Sequence, residues 1–162
     1  MANIKQKITP FLWFDKEAEA AATFYTSVFK DASIDSKSFY GDNAPLPKGT
    51  VLTIGFTLNG IKFTALNGGP VFKFNESVSF VVHCDSQEEV DYYWENLLKD
   101  GGAESQCGWL KDKYGLSWQV VPDKMIELLT DPDKEKANRV MQAMMQMVKI
   151  DLPALEKAAS EK

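Results

Sequence analysis

The sequence predicts an α+β fold of two paired βαβββ modules with additional C-terminal helices. The first observation behind this is the order of elements. Strand, helix, strand, strand, strand runs through residues 8–69 and begins again over 77–122. The second is an overlay of the halves: Phe24-Tyr25 falls on Tyr93-Trp94, Val28-Phe29 on Leu97-Leu98 and Lys30-Asp31 on Lys99-Asp100, with one residue of slack at Asp15 and Asp85. A sheet with its helix on one side leaves its other face uncovered, and two such units side by side can enclose a cavity. At 162 residues the chain is read as one domain, with an extension over 123–162 outside the repeat.

In the first module, the apolar run Ile8–Phe14 contains Pro10, which is tolerated near a strand start. Asp15 can then accept from the free amides of the next turn, and Ala18, Ala21, Ala22, Tyr25, Val28 and Phe29 recur at helical spacing across Lys16–Lys30. Ile34–Tyr40 reads as a weak strand, and the Pro- and Gly-rich Gly41–Gly49 as a loop. Val51–Leu58 and Ile61–Leu66 flank Asn59-Gly60, a strong hairpin signal. Asn67-Gly68-Gly69-Pro70 breaks the sheet and opens a linker.

The second module starts with the strand Val78–Cys84. Asp85 and Ser86 offer caps, Glu89 completes a Ser-x-x-Glu box, and Val90, Tyr93, Trp94, Leu97 and Leu98 form the buried stripe. Gly101-Gly102 ends that helix, and a short strand lies near Ala103–Gln106. The stretch Cys107–Pro122 reads as a hairpin about Asp112-Lys113-Tyr114-Gly115. Alternation puts Leu116, Trp118 and Val120 on one face, and Ser117, Gln119 and Val121 on the other. A polar amide among small residues suits a cavity wall better than a core.

The tail reads as a short helix over Asp123–Leu129, a turn at Asp131-Pro132-Asp133, a helix over Lys134–Met147, and a last helix capped by Asp151 with Pro153 near its start. Val140, Met141, Met144, Met145 and Val148 stand at helical spacing, and ordinary packing is their expected role.

Composition excludes several classes. A formal net charge of -5 disfavours attraction to nucleic acid or an anionic membrane surface. No apolar run approaches the ~20 residues of a membrane span, and no secretory signal pattern opens the chain, so a cytoplasmic location is expected. Cys84 and Cys107 form no CxxC pair and are expected as reduced thiols, small buried hydrophobes ahead of nucleophiles. His83 is the single histidine, which rules out a site of several imidazoles within one chain.

Phe24-Tyr25, Asn67-Gly68-Gly69-Pro70, Val78-Ser79-Phe80, Asp91-Tyr92-Tyr93-Trp94, Gly108-Trp109-Leu110-Lys111-Asp112 and Trp118-Gln119-Val120-Val121-Pro122 together carry a resemblance. The chain resembles the PhnB-like branch of the vicinal oxygen chelate superfamily, a group related to glyoxalase I, bleomycin-resistance proteins and extradiol dioxygenases. Some of its members bear the label 3-demethylubiquinone-9 3-methyltransferase domain. The resemblance implies the glyoxalase-like fold and a homodimer in which modules from two chains build each cavity. It places the positions of the superfamily's metal ligands on Gln119, on Ser79, near Pro10, and on Asn67 or Thr64. Neutral amides and hydroxyls offset poorly the loss of a divalent ion's hydration shell, so neither a metal nor another cofactor is expected.

His83 shares the strand parity of Ser79 and could serve there as acid or base, although the sequence fixes no carboxylate partner and a structural histidine at a strand end is the plainer reading. The candidate cavity wall is therefore Pro10, Asn67, Ser79, His83, Ser117 and Gln119. The expected function is a metal-free homodimer that binds a small organic molecule in the inter-module cavity, with no nucleic-acid or membrane partner. A metal-dependent lyase, isomerase or dioxygenase is the alternative, and a methyltransferase the second. The common methyltransferase fold needs a Gly-rich turn after its first strand, and none follows Phe14.

Overall fold

Asn59 and Gly60 adopt φ of 45° and 78°, the two positive values a tight type I′ turn requires. They join β3 (Val51–Leu58) to β4 (Ile61–Asn67) as the sequence predicts. The structure is a computed structural model that describes residues 6–161. The chain divides into two compact units with the boundary after Lys73, inside the expected linker.

The first unit comprises β1 (Phe11–Phe14), α1 (Ala18–Val28), β2 (Ala32–Phe39), β3 and β4. Its sheet has the order β1-β4-β3-β2, with β1 parallel to β4 and the other pairs antiparallel. Alternation sends Leu12, Phe14, Ile54, Phe56, Phe63 and Ala65 into the core, where Ala18, Ala21, Ala22, Tyr25 and Val28 of α1 are also buried. The rings of Tyr25 and Phe56 stack at 6.0 Å, and Phe56 stacks on Phe63 at 5.3 Å.

The structure departs from two local expectations. The first strand starts at Phe11 rather than Ile8, which is 84 % exposed. Asp15 does not cap α1. Glu17 occupies the cap position without a side-chain bond, and the free N–H of Ala18 donates to Asn67 Oδ1 at 2.8 Å. The far end of β4 thus satisfies the helix start, a long-range solution that no local spacing reveals. Gly68 is required nearby, because a Cβ there would lie 2.4 Å from the Trp13 ring. That indole donates from Nε1 to the Gly69 carbonyl at 2.8 Å.

The second unit repeats the topology. β5 (Ser79–Cys84), α2 (Gln87–Leu98), β6 (Ala103–Glu104), β7 (Trp109–Lys111) and β8 (Ser117–Pro122) form a sheet of order β5-β8-β7-β6, again with its first and last strands parallel. Ser86 caps α2 as expected, its Oγ accepting from the Glu89 N–H, while Glu89 Oε2 reaches one residue past the cap and accepts from the Asp85 N–H. Asp112, only 3 % exposed, fixes the hairpin turn. Its Oδ1 accepts from the N–H groups of Tyr114 and Leu116, and its Oδ2 from Trp118 Nε1 at 2.9 Å.

The extension adds α3 (Asp123–Leu129), α4 (Lys134–Met144) and α5 (Leu152–Ser160) around a cluster of Val121, Met125, Leu128, Val140, Ile150 and Leu155. Asp133 and Asp151 cap α4 and α5. The helix expected to reach Met147 ends at Met144, and Met141 and Met145 are 40 % and 59 % exposed, so the methionine stripe packs on one side only. Backbone bonds from Cys107 and Gly108 to the carbonyls of Met147 and Val148 fasten this tail to the start of β7. Gln87 clamps it to α2, donating from Nε2 to the Ile150 carbonyl and accepting at Oε1 from the Leu152 N–H.

Among the described residues no helix is long and apolar enough to cross a membrane.

Candidate functional site

Burial identifies which face of the second sheet is core. On β8, Leu110's partner Trp118 and its neighbour Val120 are buried on the side of Val82 and Cys84, where α2 supplies Val90, Tyr93, Trp94 and Leu97. The other face carries Ser79, Val81 and His83 from β5, Ser117, Gln119 and Val121 from β8, and Trp109 and Lys111 from β7. Val81 is 44 % exposed there.

Three polar side chains converge on this second face. In the parallel ladder Ser79 lies opposite Ser117 and Val81 opposite Gln119. Gln119 Nε2 donates to Ser79 Oγ at 2.8 Å. The bond leaves Gln119 Oε1 as an acceptor and the Ser79 hydroxyl hydrogen as a donor. Ser117 is 1 % exposed, and its Oγ has no hydrogen-bond partner among the described residues. A buried hydroxyl without a partner costs about 1–3 kcal/mol, so this atom marks a place where a partner is called for. Trp109 sits beside Gln119 in the antiparallel ladder, half-buried, and offers an aromatic flank.

His83 lies opposite Val121, two residues along the same face from Val81, and is exposed. Its Nδ1 is 2.6 Å from Asp123 Oδ1 at the start of α3. The sequence reading missed this carboxylate. Finding it needs the long-range register, which sets Ser79 against Ser117 and so brings His83 level with Val121 and close to the chain's exit from β8. Cys84, the next residue, faces the core. Burial, and then the charges of Glu89, Asp123 and Asp85, push its thiol up to about 12, which removes it as a nucleophile near neutrality. Neither cysteine is in a disulfide.

The first unit's candidates are placed differently. Asn67 is 4 % exposed on the α1 side of its sheet, and its amide is fully engaged: Oδ1 accepts from Ala18, and Nδ2 donates to the Val51 carbonyl at 2.9 Å. Thr64 and Leu66 hold the opposite face, level with Phe11 and Trp13. Pro10 is half-buried, and its carbonyl accepts from the Thr64 N–H at 3.0 Å, which extends the β1–β4 pairing. On that same face β2 and β3 form a hydroxyl-rich surface. Ser38 and Thr53 are in contact at 2.6 Å, and Asp35 accepts from Thr57 and Ser33. Those two bonds, Thr57's first, hold the Asp35 carboxyl below the ordinary carboxylate range.

No group of three or more histidine, cysteine, aspartate or glutamate side chains among the described residues could hold a metal ion. Ser79 and Gln119 are bonded to each other and the Asn67 side chain to the backbone of Ala18 and Val51, and all are neutral, so the positions implied for a metal do not fit one.

The family model described as 3-demethylubiquinone-9 3-methyltransferase matches residues 6–121. Among solved structures, the chain is similar to the PhnB protein of Bacillus cereus at 40 % identity, covering 72 % of this chain and 99 % of that one with a TM-score of 0.66. A Pseudomonas aeruginosa protein matches at 18 % identity over 73 % and 98 % of the two chains, with a TM-score of 0.59. The fosfomycin resistance protein FosX of Listeria monocytogenes matches at 16 % identity over 81 % and 100 %, with a TM-score of 0.54. The last two likenesses concern the fold alone. No curated protein matches the chain.

Proposed function

Because the chain belongs to the PhnB-like 3-demethylubiquinone-9 3-methyltransferase family, within the glyoxalase fold of the vicinal oxygen chelate superfamily, we propose that it binds a small, neutral organic molecule against the second sheet's face of Ser79, Ser117 and Gln119, without a metal. The observation that carries this reading is the Ser117 hydroxyl, buried and without a partner beside a Gln119–Ser79 pair that still has one acceptor and one donor to offer. A ligand carbonyl or hydroxyl would satisfy the Gln119–Ser79 pair and, with a shift of the side chains that seal it, the Ser117 hydroxyl, and Trp109 would flank an apolar or aromatic body. A fully charged ligand is disfavoured, because the three groups are neutral and cannot offset the desolvation of an ion.

We further read the working form as a homodimer, the assembly that the resemblance implies. Apolar side chains such as Phe11, Val71 and Phe72, each well exposed, are candidates for burial there. Sedimentation velocity at micromolar concentration tests this, and a monomer throughout would refute it.

The methyl-transfer label does not supply a mechanism. β1 is followed by Asp15-Lys16-Glu17 rather than a Gly-rich phosphate- or nucleoside-cradling turn.

Native mass spectrometry of freshly purified protein, followed by NMR screening of a neutral carbonyl and amide fragment library, tests the binding reading. Retained molecules or fragment shifts should map to Ser79, Trp109, Ser117 and Gln119. Gln119→Leu should weaken them by about tenfold, the value of roughly one buried hydrogen bond. Unchanged retention in Gln119→Leu would defeat the assignment.

A further inference from the structure

The single histidine of the chain stands on the same sheet face as the candidate ligand groups, and its geometry is that of an oriented base. We propose that His83 and Asp123 form a proton-transfer pair, with His83 Nε2 as general base and Asp123 as its positioning residue. The inference rests on the reading that a ligand occupies this face, and it adds a chemical capability to that binding site.

The tautomer follows from the partners. A carboxylate can only accept, so the 2.6 Å contact between His83 Nδ1 and Asp123 Oδ1 places the proton on Nδ1. Neutral imidazole then keeps its lone pair on Nε2, the nitrogen free to take a proton. His83 lies opposite Val121 while Val81 lies opposite Gln119, so the imidazole is two residues, about 7 Å along the strand, from the level of the amide. A molecule that lies along this face over that length would reach from Gln119 to the imidazole. Both members of the pair are about half exposed, at 59 % and 53 % of their side chains.

No competing group on the face fits the task. Cys84 points into the core with its thiol pushed up to about 12. Lys111 is paired with Glu76. The charged groups gathered at this strand end are Asp123 from α3, Asp85 beyond β5 and Glu89 from α2, while Lys124 is turned to Glu127. In the transfer, a ligand O–H or C–H gives its proton to Nε2 and the bonding electron pair stays on the ligand. The imidazolium that forms lies between Asp123 and the ligand anion whose charge it offsets, and the proton later returns to the ligand.

His83 falls inside the segment matched by the family, residues 6–121, and Asp123 just outside it. The carboxylate that orients the base is therefore contributed by the first residue of the C-terminal extension's leading helix. That gives the extension a chemical role beside its packing role.

The test uses the full chain and exploits its single imidazole. Long-range 1H–15N NMR should show the Nδ1–H tautomer in the wild type and a change toward Nε2–H in Asp123→Asn, with Asp123→Glu restoring the first. Hydrolysis of p-nitrophenyl acetate, a generic reporter of an accessible imidazole base, should fall by about tenfold or more in His83→Gln. In Asp123→Asn it should fall severalfold, with its pH midpoint moving in step with the NMR titration. A merely structural pair would lower thermal stability in these variants without moving the pH profile. An Nε2–H tautomer in the wild type, or a His83→Gln variant as fast as wild type, overturns the proposal. Fragment binding that persists in Gln119→Leu defeats the binding reading instead, and the tautomer and rate data still decide the pair.

Discussion

The two sheets have one topology, and the equivalent strands β4 and β8 each bury a polar side chain, yet the two residues are treated in opposite ways. Asn67 of β4 has both ends of its amide bonded, to Ala18 and to Val51. Ser117 of β8, more deeply buried, has no partner among the described residues. Satisfied polar groups inside a fold specify it, whereas an unsatisfied one is retained against a cost. The first unit has used its buried polar residue to build the module. The second leaves a buried hydroxyl without a partner among the described residues, beside the Gln119–Ser79 pair where we place the ligand.

The contrast can be broken by substitution. Asn67→Leu should be the most damaging change, because it strands a helix-start N–H and a strand carbonyl in the core. We expect a loss of about 3 kcal/mol in urea denaturation, from two buried groups left without partners. A loss below about 1 kcal/mol would show that Asn67 is not the structural element described here. In the second unit the comparable structural residue is Asp112, whose carboxylate takes three donors. Asp112→Asn keeps one acceptor oxygen and should cost about 2 kcal/mol, with the Trp118 indole N–H signal shifting in NMR.

Gln87→Ala comes next. It removes the clamp on the Ile150 carbonyl and the Leu152 N–H, and should cost about 1–2 kcal/mol. Amide exchange should rise at Leu152 before it rises in β8, and uniform exchange across the unit would contradict a locally fastened tail.

The smallest effect concerns Asp35, whose pKa is lowered by its hydroxyl neighbours. Its folded pKa lies below its unfolded value near 3.8, so the stability it contributes is present above that value and is lost as pH falls through the lowered one. Asp35→Asn should therefore lower stability slightly at neutral pH and flatten acid destabilisation in that window, so that variant and wild type converge below it. An acid limb identical to wild type would remove the hydroxyl network from the account.

The repeat was legible in the sequence because periodicity and turn chemistry are local. Asn59-Gly60, the Ser86–Glu89 box and the stripe of Val90, Tyr93, Trp94 and Leu97 announce themselves within a few residues. The alternation that set Ser117 and Gln119 on one face of β8 is equally local, and the structure has that alternation. What the sequence could not provide is pairing over distance. The start of α1 depends on Asn67, 49 residues away, rather than on the adjacent Asp15. The partner of His83 is 40 residues on, and the bond from Gln119 to Ser79 also spans 40. Whether Asn67 or Thr64 faced outward was undecidable without the register, which turns Asn67 to α1 and Thr64 away from it.

Ser117→Ala, measured twice on the same protein, tests the central contrast most directly. Deleting a buried hydroxyl that has no partner should raise thermal stability by about 1 kcal/mol, roughly 2–4 °C in a chain of this size. The same deletion should weaken binding of the retained molecule or of carbonyl fragments by about tenfold. Stability that falls, together with binding that stays level, would mean the hydroxyl belongs to the fold as Asn67 does, and that the second sheet's polar face is not where a ligand is held.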